Sequence, residues 1–296
     1  MTDTMASLRR KITGAGDLQS VVRTMKAMAA GNISQYENSV RALADYYRTV
    51  QLGLRACLKE RALTSGTGSR LAARPSGMPQ AIVFGSDQGL VGQFNEVVAD
   101  FAIKALAAVP GQHRVWAVGE RVHTRLEDAG LPLVGVFAVP NSVQAITSLV
   151  QELQISSEAH REGDRNVPLW VFHNRPVSGS LFEPVRQCLL PLDANWRKGL
   201  TDIPWPTKNL PEVIGDGMAA LQALIHEYLF ISFFRACAES LASENASRLA
   251  AMERADKNIS DLLEELHGSF HQLRQSGIDE ELFDVISGFE ALRGTG

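Results

Sequence analysis

One loop in this sequence carries the residue types that phosphate chemistry uses. Gly85, Gly89 and Gly92 punctuate the run Gly85-Ser86-Asp87-Gln88-Gly89-Leu90-Val91-Gly92-Gln93-Phe94-Asn95, after an apolar strand-like stretch and before a helix-like one. Glycines at such a place let backbone N–H groups close on a pyrophosphate at a helix N-terminus. The spacing departs from G-x-G-x-x-G, and no Lys-Ser/Thr pair follows for a phosphate loop. A tight turn pressed against a partner needs the same glycines, so nucleotide binding stands as the alternative reading. The 7 histidines form no H-E-x-x-H. His267 and His271 are spaced for one helix face, but no third metal ligand accompanies them. No Ser-His-Asp arrangement or G-x-S-x-G occurs. The 3 cysteines, Cys57, Cys188 and Cys237, are widely spaced without a C-x-x-C and read as spectator thiols. No catalytic residue, cofactor or metal site is expected.

The elements that would hold this loop fall into three segments. The expected domains are 1–61, an N-terminal shaft helix; 62–79, a linker; 80–192, an α/β domain; 193–211, a connector; and 212–296, a C-terminal shaft helix. In the first, Ile33, Tyr36, Val40, Leu43, Tyr47, Val50 and Leu54 recur in alternating steps of three and four, a coiled-coil seam. Upstream the stripe continues through Leu8, Ile12, Leu18, Val22, Met25 and Ala29, with a phase shift between Val22 and Ile33 of the kind a stutter produces. Strand-like stretches at 81–84, 115–118, 133–139 and 169–173 alternate with helix-like ones at 96–108, 120–129 and 143–160. That alternation predicts a parallel sheet covered on both faces, with a last strand around 188–192.

From Glu212 to Leu292 there is no proline, and a seam runs through Leu221, Leu224, Tyr228, Ile231, Ala238, Leu249, Met252, Ile259, Leu263, Leu266, Phe270 and Leu273. Arg235, Asn245 and Asp256 occupy polar seam positions, which can fix register. So long a helix is marginal alone in water and needs a partner. The first segment is the candidate inside the chain, paired antiparallel. Residues 1–60 carry nine basic against five acidic residues, a net of +4, while residues 210–296 carry six against fifteen, a net of −9. Opposite signs favour pairing of unlike helices. The second helix outruns the first, and its end carries Ile278, Leu282, Val285, Ile286, Phe289 and Leu292, a stripe suited to a protein partner. The predicted fold class is therefore α/β with a long antiparallel coiled coil beside a Rossmann-like sheet domain.

Composition narrows the partners. Hydrophobic residues make up 45% and charged residues 21%, with a formal net charge of −4, so nothing at whole-chain level points to nucleic acid. No stretch approaches the ~20 apolar residues that cross a bilayer; the longest surrounds Leu229 to Phe234. The start lacks the apolar core of a secretory signal. A cytosolic chain that docks on a membrane complex, without inserting, is the expectation.

Four runs, in order, resemble F-type ATP synthase gamma subunits. Val21 to Ala30 is similar to the family's I-T-K-A-M-K-M-V-A-A-type helix. Gly85 to Asn95 resembles its S-D-R-G-L-C-G-type loop. Ser240 to Met252 resembles S-L-A-S-E-x-A-x-R-x-x-A-M, the most specific of the four. Arg274-Gln275, Ile278 to Leu282 and Ile286-Ser287-Gly288 resemble the R-Q-x-x-I-T-x-E-L and V-x-G-A signature at the end. The departures are Asp279 for a usual Thr, Phe289 for Ala, Val91 for Cys, Asn32 for a common Lys, and the unusual Gly14 and Gly16. They place the chain at a divergent edge of the family, compatible with an alternate or sodium-translocating ATPase.

The resemblance implies a non-catalytic rotor. Its two long helices turn inside a ring of alpha and beta subunits, and its α/β domain meets the epsilon subunit and the membrane c-ring on the cytoplasmic side of a bacterial inner membrane. Arg274 and Gln275 match the family's polar catch, which bonds to loops of the surrounding ring. Arg9, Arg10, Lys11, Arg23 and Lys26, with Met25, correspond to a shaft region that meets acidic beta-subunit segments. Asp87, Gln88 and Gly89 on the loop, and Ile278, Leu282, Ile286 and Phe289 near the end, complete the expected partner interface.

Overall fold

In the computed structural model, residues 4–64, 77–161, 167–177, 180–192, 194–209 and 211–293 are described. Side chains of 60–64, 180, 194–195, 201 and 288–293 within these ranges are not. The chain divides into two units, one made of residues 1–29 and 249–296, the other of 30–248.

Helix α1 (Met5–Ala42) and the long α7 (Gly217–Arg293) contribute to both units. In the first unit they run antiparallel: Gln19 reaches Ser260, and Lys26 reaches Asp256. The buried seam is narrow, built on Val22, Met252 and Ile259 with Ala15, Met25, Ala255 and Leu263 packed at its edges. The expected stripe placed Leu18 here, but Leu18 is 54% exposed. Steps of four, three, four and three from Leu8 run through Ile12, Ala15, Gln19 and Val22, so Gln19 takes the inward place and Leu18 rotates out.

In the second unit, α1 and α2 (Ala44–Thr64) pack on the first half of α7. The expected single N-terminal helix is interrupted at Leu43, although Leu43 N still donates to Ser39 O and Tyr47 N to Leu43 O. Tyr36, Val50 and Leu54 of the predicted seam are buried against Tyr228, Ile231 and Ala238 of α7. Helix α7 begins at Gly217 and not at Glu212, because Asp216 accepts from Met218 N at 2.9 Å and caps it. Helix α7 does hold a window long and apolar enough, by length and composition, to cross a membrane. That corrects the reading of no such stretch. Tyr228, Leu229, Ile231, Phe233 and Phe234 of that region are core residues of this unit.

The sheet consists of β1 (Gln80–Phe84), β2 (Arg114–Val118), β3 (Leu133–Phe137), β4 (Leu169–Val177) and β5 (Ser180–Leu190), in the order β3-β2-β1-β4-β5. β1, β2, β3 and β4 are parallel, and β5 returns antiparallel on β4. The expected parallel sheet is found in β1 to β4, whereas the last strand, expected at 188–192, is corrected to the longer, antiparallel β5. Pro184 misled the reading because proline is tolerated on an edge strand, where β5 lies.

Alternating residues send the sheet's two faces into two cores. Ala81, Val83, Val115 and Ala117 pack with α3 (Phe94–Ala107) and α4 (Glu120–Asp128). Ile82, Phe84, Trp116 and Val118 pack with α5 (Val143–Ala159) and α7. Ser142 caps α5, its hydroxyl accepting from Ala145 N. One helix that was not foreseen, α6 (Ala194–Asp202), forms inside the expected connector and places Leu200, 2% exposed, in the core.

Candidate partner-binding surfaces

The glycine loop sits at the carboxyl end of β1, next to β4, where helices switch from one face of the sheet to the other. Ligands of open α/β folds bind at such a crevice. Here its polar groups are already engaged. Ser86 N donates to Asn95 Oδ1 at 2.9 Å, and Asn95 Nδ2 donates to Ser86 Oγ at 2.9 Å. The Asp87 carboxylate accepts from Glu120 N, at the start of α4, and from Val139 N, at 3.0 and 2.9 Å. It thereby takes the helix N-terminus that a phosphate would use. Gly119, at φ +110°, has room for no side chain, since a Cβ would lie 2.8 Å from the Ser86 backbone. From the other side, Ser243 of α7 donates to the Asn174 carbonyl at 3.1 Å. Gln88 and Leu90 remain exposed at the tip, Leu90 with a positive φ of 63°. The loop is thus braced from within and offers its tip outward.

Between β4 and α7 lies a buried charge cluster that was not singled out from the sequence. His173 Nε2 meets Glu239 Oε2 at 2.8 Å, and Arg235 Nε donates to Glu239 Oε1 at 2.7 Å. Burial by itself would raise the Glu239 carboxyl, but the hydrogen bonds from His173 and Arg235 hold it below the usual range. One turn on, burial pushes Glu244 up despite Arg248, which donates to it at 2.7 Å. Asn245, a predicted polar seam position, is buried and accepts from Asn32 Nδ2 at 3.3 Å. The sequence signal for Glu239 was available only as an i, i+4 pair with Arg235.

The first unit sorts the expected interface residues into two sets. Arg23, Met25 and Lys26 face α7. Arg23 Nε and Lys26 Nζ bond Asp256 at 3.3 and 3.2 Å, and Gln19 Nε2 bonds the same carboxylate at 3.2 Å. Hydrogen bonding from Lys26 leads the effects that hold Asp256 below its usual range. Met25 is half-buried in the seam. The other set is outward. Arg9, Arg10 and Lys11 are exposed on α1, as are Arg274 and Gln275 on α7. Ile278, Leu282 and Ile286 are 54%, 57% and 45% exposed. Phe289 lies outside the residues whose side chains are described. The reading missed Phe283, 68% exposed, which widens the apolar stripe. Among the described residues no group of three or more His, Cys, Asp or Glu side chains is placed to hold a metal.

Exposed apolar and forked polar groups on one long helix can dock and transmit force; they supply no nucleophile with a base beside it. Comparison with known proteins gives the family. The family model for ATP synthase matches residues 4–292. A gamma chain of ATP synthase from Methylococcus capsulatus is 23% identical over 288 residues, covering 96% of this chain and 98% of the relative. One from Hyphomonas neptunium is 27% identical, covering 97% and 99%. Among solved structures, a chain of the Euglena gracilis mitochondrial ATP synthase (OSCP/F1/c-ring) superposes with a TM-score of 0.61 at 15% identity, covering 97% of this chain and 94% of that one. A chain of the Tetrahymena thermophila central stalk and c-ring gives 0.56 at 17% identity, covering 79% and 99%. At these identities the superpositions bear on the fold alone.

Proposed function

This chain belongs to the ATP synthase gamma-chain family, and we propose that it is the central-stalk rotor of an F-type ATP synthase. Its relatives are gamma chains, and solved chains of like fold are rotor parts of ATP synthases. In this role it performs no chemistry. It couples turning of the membrane c-ring to successive conformations of the alpha and beta subunits, a forced population shift among nucleotide-binding states.

The observation that carries the reading is the end of α7. Five apolar residues between Ile278 and Ile286 are each at least 45% exposed, directly after Arg274 and Gln275. A stripe of this kind suits an apolar bearing provided by other subunits. We assign Arg274 and Gln275 to a polar catch on the surrounding ring, where the arginine fork fits a carboxylate. Arg9, Arg10 and Lys11 face the ring's acidic segments. The tip of the glycine loop, Gln88 and Gly89, contacts the foot of the stalk with the epsilon subunit and c-ring. Asp87, Arg23, Met25 and Lys26 act indirectly, by bracing the loop and the helix pair. In this reading α1, α2 and α7 belong to the shaft, with 80–192 as the foot domain. The complex lies against a membrane, and for a bacterial chain that is the cytoplasmic face of the inner membrane. The translocated ion, proton or sodium, is selected in the c-ring.

The test is deletion of residues 278–296 in a reconstituted complex, with ATP turnover and ion pumping measured together. Pumping per ATP should fall by several-fold while the second unit keeps its fold by circular dichroism. A pumping ratio equal to the intact complex would overturn the assignment of this end to torque transmission.

A further inference from the structure

Away from every surface discussed so far, the second unit contains a groove of about 410 Å3 between α2, β5, α6 and α7. That volume lies inside the ~300–1,000 Å3 span of small-molecule sites. Its floor is apolar and aromatic, with Tyr228 at 1% and Leu200 at 2% exposure. Trp196 Nε1 donates to Tyr228 Oη at 3.1 Å and its ring stands edge-on, centroids 5.2 Å apart. Tyr47 lies at 28° to the same ring, centroids 6.2 Å apart. The three rings hold one another in place, so the aromatic surface is formed in advance.

The polar groups of the wall are few and uncharged. Gln51 from α2 and Gln187 from β5 are half-buried, and neither carboxamide has a hydrogen-bond partner among the described residues. Burial pushes the Tyr47 hydroxyl up, which keeps it a neutral donor. Among the described residues no Asp, Glu, Lys or Arg lines the groove. A charged guest would lose hydration there with no charged lining side chain to replace it, since the nearby Arg55 guanidinium is taken up by the Ile203 carbonyl. A flat neutral guest would stack on the two half-buried rings, Tyr47 and Trp196, which the buried Tyr228 holds in place, and exchange paired hydrogen bonds with the two carboxamides.

We propose that this groove is a binding site for a small, neutral, planar aromatic molecule bearing an amide-like donor and acceptor. The site is independent of the rotor assignment. Gly199 of α6 lines it, and a Cβ at that position would meet nothing within 4 Å. A larger side chain there would enter the groove and not the core. Cys188, exposed on the rim, provides a chemical reporter.

The experiment titrates the purified full-length chain with carbostyril, a neutral planar lactam, and with naphthalene, which has the shape without the lactam, and follows tryptophan fluorescence. Carbostyril should give a saturable one-to-one curve and slow alkylation of Cys188 by iodoacetamide. Gly199→Leu should weaken it about tenfold by filling the groove. Gln187→Ala should weaken carbostyril about fivefold and leave naphthalene unchanged, and this variant keeps the test decisive should Gly199→Leu fail to fold. A carbostyril curve that does not saturate, or one that both folded variants leave unchanged, overturns the proposal.

Discussion

The two units use carboxylates in opposite ways. In the first, Asp256 sits at the margin of a narrow helix pair and collects Gln19, Arg23 and Lys26 around it. In the second, Glu239 and Glu244 are 8% and 5% exposed, inside the ground between α7, the sheet and α1. Water can replace any partner that Asp256 loses. It cannot do so for the buried pair, where a missing partner leaves a charge in low dielectric. The first unit therefore has exchangeable contacts that suit a helix pair gripped by other subunits. The second is fixed by contacts whose loss is felt globally. Breaking each carboxylate in turn sharpens this contrast.

The largest effect belongs to Glu239→Ala. It strands His173, 2% exposed, and removes the acceptor of Arg235. Breaking a buried pair in this way costs ~3–5 kcal/mol, read as a drop in urea unfolding free energy of the purified chain. The native state holds Glu239 below its ordinary range, so its contribution is complete above the unfolded pKa of ~4.3. It fades as the pH falls through the folded value. The gap between wild type and variant should accordingly be widest near neutrality and narrow in acid. A gap that widens as the pH is lowered would mean that His173 and Arg235 do not hold the carboxylate.

That cluster marks the boundary of what could be read from the chain. The seam of α1 and α2 was legible from Tyr36, Val50 and Leu54, because alternating steps of three and four encode one helix face. The alternation of strands and helices gave β1 to β4 for the same kind of reason. Leu18 misled because hydrophobicity was followed in preference to phase, and Gln19 held the seam position. The antiparallel turn into β5 and the short α6 depend on tertiary contacts, and prolines in their vicinity suggested a connector. His173 and Glu239 are 66 residues apart; no local pattern links them, so only the fold could reveal the pair. Of the expected interface, the outward set on α7 was legible as an apolar stripe without a partner. The inward turn of Arg23 and Lys26 was hidden, because a basic residue at a helix flank reads the same toward Asp256 as toward another subunit.

Glu244 should show a smaller effect of opposite pH sign. Burial leads the influences on it and raises its carboxyl. A raised folded pKa means that the native state retains a proton which the unfolded chain has lost, so wild-type stability declines as the pH rises from the unfolded value through the folded one. Glu244→Gln has no proton to lose. Its melting temperature relative to wild type should therefore climb between acid and neutral pH, as differential scanning calorimetry can follow. A relative melting temperature that falls over that interval would show that the Arg248 ion pair outweighs desolvation.

The least effect is expected at Asp256, for all that it has the most partners. Arg23, one of them, is 62% exposed at its side chain, and an ion pair so placed is screened by salt and competes with water at little net gain. The melting temperature of Asp256→Asn should stay close to wild type, with the small difference present at low salt lost at high salt. Lys26 bears on the same point. Its side chain is 29% exposed, and Asn keeps one of the two oxygens, so an acceptor remains either for Lys26 or for Gln19 and Arg23. A double-mutant cycle between Asp256→Asn and Lys26→Met should give a coupling energy well below that between Glu239→Ala and His173→Ala. Equal couplings would mean that the helix pair fixes its ions as firmly as the sheet unit does, and the division between an exchangeable region and a fixed one would have to be abandoned.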